Sequence, residues 1–385
     1  MCDLNQDNAE FLADEAGELL GPRPRVYADI ALMARDFGAD LQAASITTDV
    51  AAHHRVAVAC LEAGLHVLCE KPLALTIRAC DLIAEAAARA QRLVSVAENY
   101  RRDPINRLAR ALIQDGAIGD PRLMIETHIG GRNRIAITPW RHMKHTGTIA
   151  LDAGVHYADM LRFLLGEVRT VFGEARLQEK VRYNTGSAGP GGFYGRWSPD
   201  FPAEITPTGE DALYAQVSFE NGAIGQWVDD NAGHGKVTRL RQVFGSRGSL
   251  ECPGDRNGRP NIVHLDDGSA IADGHVLDLA PSYLLDPLAA ELFGGERVWT
   301  YELEFNDTDS RLLALEYYEL GACVASGHQP EVTLEEGRRD LALTYAPFES
   351  GLLGRAVTLA EVLSGQAAEY QREIDAALGL LPVGV

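Results

Sequence analysis

Leu65-His-Val-Leu-Cys-Glu-Lys-Pro72 decides the fold. Its apolar core, Val67 to Cys69, reads as a short buried strand that ends abruptly in Glu70-Lys71-Pro72. Upstream, Ala51 to Ala63 has helical spacing and Gly64 supplies a C-cap. Downstream, Ile77 to Ala90 is a long Ala-rich helix, and Leu93 to Ala97 is a further strand ending at Glu98-Asn99-Tyr100. Earlier still, Leu41 to Thr47 is an apolar strand ending in Thr47-Thr48. Gln6 to Leu20, stopped by Gly21-Pro22, and Tyr27 to Phe37 are expected helices. The β-α-β-α rhythm predicts a parallel sheet with helices on both faces, of the α/β class. Ligands on such sheets sit at the carboxyl ends of strands, which is where Thr48, Glu70, Lys71 and Asn99 lie.

After Asp120-Pro121 the pattern changes. Arg122 to Ile129 reads as a strand and Ile149 to Leu165 as a helix. Val168 to Leu177, Ala212 to Phe219, Ala223 to Asp229, Arg239 to Phe244 and Ser249 to Cys252 then read as strands. Turn signals such as Glu220-Asn221-Gly222 and Ser246-Arg247-Gly248 join several of them, so a predominantly antiparallel sheet is expected. The division predicted is a Rossmann-like domain over residues 1–120 and an α+β domain over 121–385. The second carries a long Gly-, Pro- and aromatic-rich loop at 185–209, and loops of that length are usually functional or disordered. Helices at Leu312 to Ser326, Leu334 to Ser350 and Ala367 to Leu378 close the chain.

The 385 residues, 46% hydrophobic and 23% charged, are ordinary for a globular protein of two domains. A net charge of −20 argues against nucleic acid and anionic membrane surfaces, which both need a basic footprint. The six cysteines form no C-x-x-C and read as thiols in a reducing compartment. The start is polar and acidic and no apolar run approaches a membrane span, so a cytoplasmic protein is expected.

Asp152-Ala-Gly-Val-His156 places a carboxylate and an imidazole on one helix face. Together with Lys71 they form a workable set for moving a proton off a hydroxyl, because neutral imidazole titrates close to working pH. Each residue also has a plainer reading. His156 alone reads as a packed helix histidine, Asp152 as a carboxylate favoured by the helix dipole, and Lys71 as a turn residue. His128, His142, His145 and His234 show no spacing that indicates a metal site.

Thr48 followed by His53, then Ala63-Gly64 and His66-Val-Leu-Cys-Glu-Lys-Pro-Leu73, form one block of residues in order. Asn99-Tyr-Arg101 with Pro104, Trp140-Arg141, and Asp152-x-Gly154-x-His156-x-x-Asp159 follow it. In order and spacing this series resembles the glucose–fructose oxidoreductase and inositol dehydrogenase (Gfo/Idh/MocA) family over nearly the whole chain. The resemblance implies a Rossmann domain, a predominantly antiparallel α/β domain, and NAD(P)-linked oxidation or reduction of a sugar, cyclitol or similar polyol. It implies Lys71, Asp152 and His156 as the catalytic set, with Lys71 stabilising alkoxide charge near the nicotinamide. Asp3, Thr48, His53, Glu70, Lys71 and Asn99 would hold the cofactor; Arg101, Trp140, Arg141, Asp152 and His156 would hold the substrate. Against these stand turn roles for Thr48 and Asn99, capping or packing for His53, and pairing with Lys71 for Glu70. Tyr183, Phe193, Tyr194 and Trp197 would stack on a sugar or anchor the long loop. A cis bond before Pro72 and a homo-oligomer through the second sheet are further implications.

Two departures stand out. Where the family usually has three glycines before the catalytic Asp, this chain has Thr146-Gly147-Thr148. No G-x-G-x-x-G occurs anywhere; Gly189-Pro-Gly-Gly-Phe-Tyr-Gly195 has the wrong spacing and setting. Asp3 would align with the acidic residue ending the second Rossmann strand, which favours NAD over NADP. The first strand is thus expected upstream of the start, or dinucleotide binding is weak or lost, or a partner supplies the strand. The leading expectation is an NAD-dependent sugar or polyol oxidoreductase. The alternatives are a non-redox lyase or epimerase using the same Lys, Asp and His, and a non-catalytic binding subunit.

Overall fold

Side-chain caps set the boundaries of the first elements. The computed structural model of the chain describes residues 1–186 and 198–381. Helix α1 (Gln6–Leu20) starts where the Asn5 side chain accepts from the Asn8 N–H, and ends at Gly21. Helix α2 (Ile30–Phe37) starts at an Asp29 cap on the Leu32 N–H. Tyr27, expected in that helix, instead forms a parallel β-bridge with Cys2. Strand β1 (Ala43–Ile46), helix α3 (Val50–Glu62), strand β2 (His66–Glu70), helix α4 (Ile77–Ala90) and strand β3 (Val94–Ala97) follow. The three strands are parallel, in the order β1-β2-β3. Ile46, Cys69 and Val96 lie side by side in the register. The turns after them, at Thr47–Asp49, Glu70–Pro72 and Glu98–Asn99, therefore open on one edge of the sheet. The other side of β1 pairs with no strand among the described residues, and the Cys2–Tyr27 bridge stands apart.

Helix α5 (Pro104–Gln114) was not among the expected elements, although Asp103 caps it through the Ile105 N–H and Pro104 opens it. The second region begins with β4 (Pro121–Gly131), α6 (Ile149–Leu165) and β5 (Val168–Arg176). Strands β6 (Arg182–Tyr183) and β7 (Glu204–Ile205) pair at the stem of the predicted long loop. Residues 187–197 of that loop, with Phe193, Tyr194, Trp197 and the glycine run, lie outside the described residues. Then come β8 (Ala212–Phe219), β9 (Ile224–Gly233), β10 (Thr238–Gly245), β11 (Gly248–Cys252), β12 (Ile262–Leu265) and β13 (Ala270–Ile271). Helices α7 (Pro287–Phe293), α8 (Phe305–Ser326) and α9 (Leu334–Leu353), strand β14 (Val357–Thr358), and helices α10 (Leu359–Leu363) and α11 (Glu369–Ala377) complete the order.

Nine strands form one sheet, ordered β13-β12-β11-β10-β4-β9-β8-β5-β14. Every pairing is antiparallel except β4 with β9, which is parallel. Helices α6 and α9 pack on this sheet and on each other, and α9 also reaches α4 and β3. A single apolar core therefore runs through both sheets, from Val67 and Val96 to Trp227 and Tyr345. Gly154 permits this packing. A Cβ there would come within 2.8 Å of the Thr344 methyl on α9 and 3.2 Å of Leu213 on β8. Gly147 is required for two reasons: its φ is +115°, and a Cβ would meet Val50 at 2.9 Å. That contact seats the turn before α6 on the N-terminal end of α3.

Candidate active site

The peptide bond between Lys71 and Pro72 is cis, at the carboxyl end of β2. From this turn the Lys71 ammonium reaches across to the first turn of α6. It donates to Asp152 Oδ1 at 3.2 Å and to the Asp152 carbonyl at 2.9 Å. The second carboxylate oxygen, Oδ2, accepts from Arg141 Nε at 3.1 Å. The Arg141 guanidinium in turn lies over the Trp140 ring, 4.3 Å from its centroid. Burial pushes the Asp152 pKa up, but the charges of Lys71, Arg141 and His156 outweigh it and hold the carboxyl well below the ordinary range. Asp152 is thus a permanent anion that fixes two cations.

One turn further along α6, His156 is largely buried and its ring lies flat on Tyr100, with centroids 4.1 Å apart and planes 3° apart. Its Nδ1 sits 2.8 Å from both oxygens of Glu98, at the end of β3. The imidazole is therefore oriented by Glu98, while Asp152 is engaged by Lys71 and Arg141. Burial works against the Glu98 anion, but His156 and the Tyr100 N–H hold its pKa below the ordinary value. Sequence reasoning noted Glu98 only as a strand-end residue. Its position on the ligand edge, next to Asn99, was the available signal.

The other predicted residues divide into two groups. Glu70 lies on the same edge: its Oε2 accepts from the Lys71 backbone N–H at 3.2 Å, and burial raises its pKa to about 7 against the pull of Lys71. Asn99 donates to Asp309 at 3.0 Å, and its Oδ1 is buried with no hydrogen-bond partner. Thr48 is exposed, with its hydroxyl on the Asp49 carbonyl at 3.3 Å. Asp3 is half-buried beside the Cys2–Tyr27 bridge and accepts from the Asn5 N–H at 2.8 Å.

His53 and Arg101 are placed elsewhere. His53 is buried, with Nδ1 2.9 Å from the Pro72 carbonyl and Nε2 3.1 Å from the Thr48 carbonyl. The ring lies between two strand-end turns, and as burial lowers its pKa it carries one N–H to donate to one of these carbonyls. The Arg101 guanidinium is buried against Asp159, with Nε 2.9 Å from Oδ1, and lies over the Phe163 ring. It belongs to an internal ion network with Asp159. His128, His142, His145 and His234 are each bonded to their own partners, and no group of metal-ligating residues converges among the described residues. No described helix is long and apolar enough to cross a membrane. A cleft of about 1090 Å³ opens beside Trp140, lined by Met143, Lys144, His145 and Glu373 among others.

A parallel sheet whose strand-end turns open on one edge is the architecture of dinucleotide-binding folds. Comparison with known proteins agrees. Residues 1–98 match the model of an oxidoreductase family with an NAD-binding Rossmann fold, and residues 106–251 match the Gfo/Idh/MocA C-terminal domain. The chain belongs to the Gfo/Idh/MocA family. It is 30% identical to levoglucosan dehydrogenase of Pseudarthrobacter phenanthrenivorans, a match covering 55% of each chain. It is 28% identical to myo-inositol 2-dehydrogenase of Thermotoga maritima over 84% of this chain and 81% of that one. The crystal structure of a levoglucosan dehydrogenase in complex with NADH and L-sorbose shares the fold, with a TM-score of 0.70 at 22% identity over 94% of this chain and 89% of that one.

Proposed function

We propose that this chain is an NAD-dependent oxidoreductase acting on a hydroxyl or keto group of a sugar, cyclitol or related polyol. The observation that carries this reading is the Lys71 ammonium, held 3.2 Å from Asp152 beside His156 at the ligand edge of a parallel sheet. The residues at this edge fit the nicotinamide half of a dinucleotide. Asn99 offers a buried acceptor without a partner, and Glu70 and Thr48 sit at neighbouring strand ends. When bound, NAD takes up or returns the hydride. His156 accepts the hydroxyl proton, and Lys71 stabilises the negative charge that develops on the substrate oxygen. Asp152 and Arg141 keep the ammonium pointed at that oxygen. Trp140 and Arg141 wall the substrate side.

The names of the similar proteins, dehydrogenases of levoglucosan and myo-inositol, support a polyol as substrate. The test is to incubate the chain with NAD and a panel of sugars and cyclitols and to follow NADH absorbance. NADH formed with one of them supports the proposal. Turnover without nicotinamide would point instead to lyase or epimerase chemistry. Neither binding nor turnover would point to a binding subunit.

Cofactor choice follows from Asp3, next to Leu4. A carboxylate accepts bonds from a ribose 2′-hydroxyl and repels a 2′-phosphate, and Leu4 offers no cation to receive that phosphate. Calorimetry should therefore give tighter binding for NAD than for NADP; the reverse order would remove Asp3 from the ribose site. The six cysteines are all unpaired, in keeping with a cytoplasmic enzyme. A homo-oligomer would use the outer face of the nine-stranded sheet, where Phe172, Ile125 and Gln242 share a row and Phe172 is 58% exposed.

A further inference from the structure

We propose that Glu98 is the positioning residue for the base: it fixes His156 in the tautomer that carries hydrogen on Nδ1 and leaves Nε2 as the proton acceptor. The inference rests on the oxidoreductase reading of the same site. The geometry allows little else. A carboxylate is acceptor-only. Both Glu98 oxygens stand 2.8 Å from Nδ1, so that nitrogen must be the donor. Glu98 itself is 2% exposed, and its Oε1 also accepts from the fixed Tyr100 N–H at 3.0 Å. The carboxylate therefore cannot rotate away without abandoning two donors.

The ring is held from its face as well. Tyr100 stacks on the imidazole, and the Arg256 guanidinium lies over the Tyr100 ring, 4.9 Å from its centroid. Arg256 is anchored in turn on Asp309 at 2.7 Å. Imidazole tilt and tautomer are thus both set from outside the reacting groups. This separates the work of two carboxylates: Asp152 holds the cation that meets the oxygen, and Glu98 holds the base that meets the proton.

The discriminating variant is Glu98→Gln. The Tyr100 N–H is a backbone donor that cannot turn, so it selects the Gln carbonyl oxygen. The amide NH₂ then replaces the second acceptor oxygen at Nδ1, and the one oxygen left is shared between the Tyr100 N–H and Nδ1. The preference for hydrogen on Nδ1 is weakened, and the share of the Nε2–H tautomer, which cannot accept a proton at Nε2, rises. The measurement is ¹⁵N NMR of histidine-labelled protein at a pH where the imidazole is neutral, with His156→Gln used to assign the signals. The unaltered chain should show hydrogen on Nδ1, and Glu98→Gln should show a larger share of it on Nε2. With a substrate in hand, kcat of Glu98→Gln should fall about 10²- to 10⁴-fold, with KM and NAD affinity unchanged. Glu98→Asp, which keeps the charge, should recover part of the rate. The Nε2–H tautomer in the unaltered chain would overturn the proposal even if no variant folds. So would a Glu98→Gln protein whose tautomer and kcat are both unchanged. Because the tautomer is read without turnover, a failure of the polyol assay and a failure of this assignment are distinct results.

Discussion

Replacing His156 with glutamine is expected to lower kcat by about 10²- to 10⁴-fold, the range that a positioned general base supplies. The choice of replacement matters. His156 is only 8% exposed and supplies the donor that faces both oxygens of the buried Glu98. Alanine would remove that donor and leave a buried carboxylate short of a partner, at a cost of about 1–3 kcal/mol. His156→Ala should therefore lose both turnover and thermal stability. Glutamine retains an N–H donor near Glu98 but has no group that accepts a proton at working pH, so His156→Gln should lose turnover with little change in melting. Asp152→Asn should lower kcat less than either, since Lys71 still donates to the Asp152 backbone carbonyl. Rates at saturating substrate, measured across pH beside thermal melts, check all three. A His156→Gln enzyme with an unaltered rate would exclude the imidazole as the base.

The ends of the long helices in both halves of the fold were legible because their punctuation is local. The α4 boundaries Ile77 and Ala90, and the α6 boundaries Ile149 and Leu165, coincide with the expected ones because Thr76 and Thr148 cap the starts through their own side chains. What was missed depends on partners distant in sequence. Tyr27 looks helical beside the Ile30 run, yet pairing with Cys2 holds it extended. The parallel pairing of β4 with β9 could not be read from turn signals, which report only neighbouring strands. Helix α5 has its Asp-Pro start and carries Ile105, Leu108 and Leu112 on one face at helical spacing, so its signal was present in the sequence and was passed over.

The site shows the same division. Lys71, Asp152 and His156 were singled out because each sits at a recognisable element end or helix spacing, and the structure brings Lys71 onto Asp152. Glu98 was not assigned a role because its partner lies 58 residues away. His53 and Arg101 received ligand roles from the family resemblance, with capping or packing standing against the role of His53. Only the tertiary structure shows that carbonyls and a carboxylate already occupy them.

Replacing Arg101 with methionine is expected to cost about 3–5 kcal/mol of stability while leaving the substrate KM unchanged. Arg101 and Asp159 have side-chain exposures of 7% and 0%, and the pair ties the turn after β3 to the middle of α6. Asp340 on α9 adds a second buried carboxylate to the same cluster, bonded to Arg162 at 2.6 Å. Burial and the Asp159 charge already push the Asp340 carboxyl well up. Methionine keeps most of the side-chain volume, so the expected loss comes from charge, not from a cavity. Without the guanidinium, Asp159 has to be ionised in the interior beside another carboxylate, or else take up a proton. Burial already holds its folded pKa above the unfolded value near 3.9 against the pull of Arg101, and losing the guanidinium raises it further. The folded state would hold more protons than the unfolded one, and stability would fall as pH rises through that interval. The deficit against the unaltered chain should therefore be small near pH ~4 and largest above neutrality. Denaturant melts at several pH values, with KM measured in parallel, test both halves. Unchanged melts together with a raised KM would return Arg101 to the substrate pocket, because a guanidinium cannot both neutralise a buried aspartate and be dispensable to the fold.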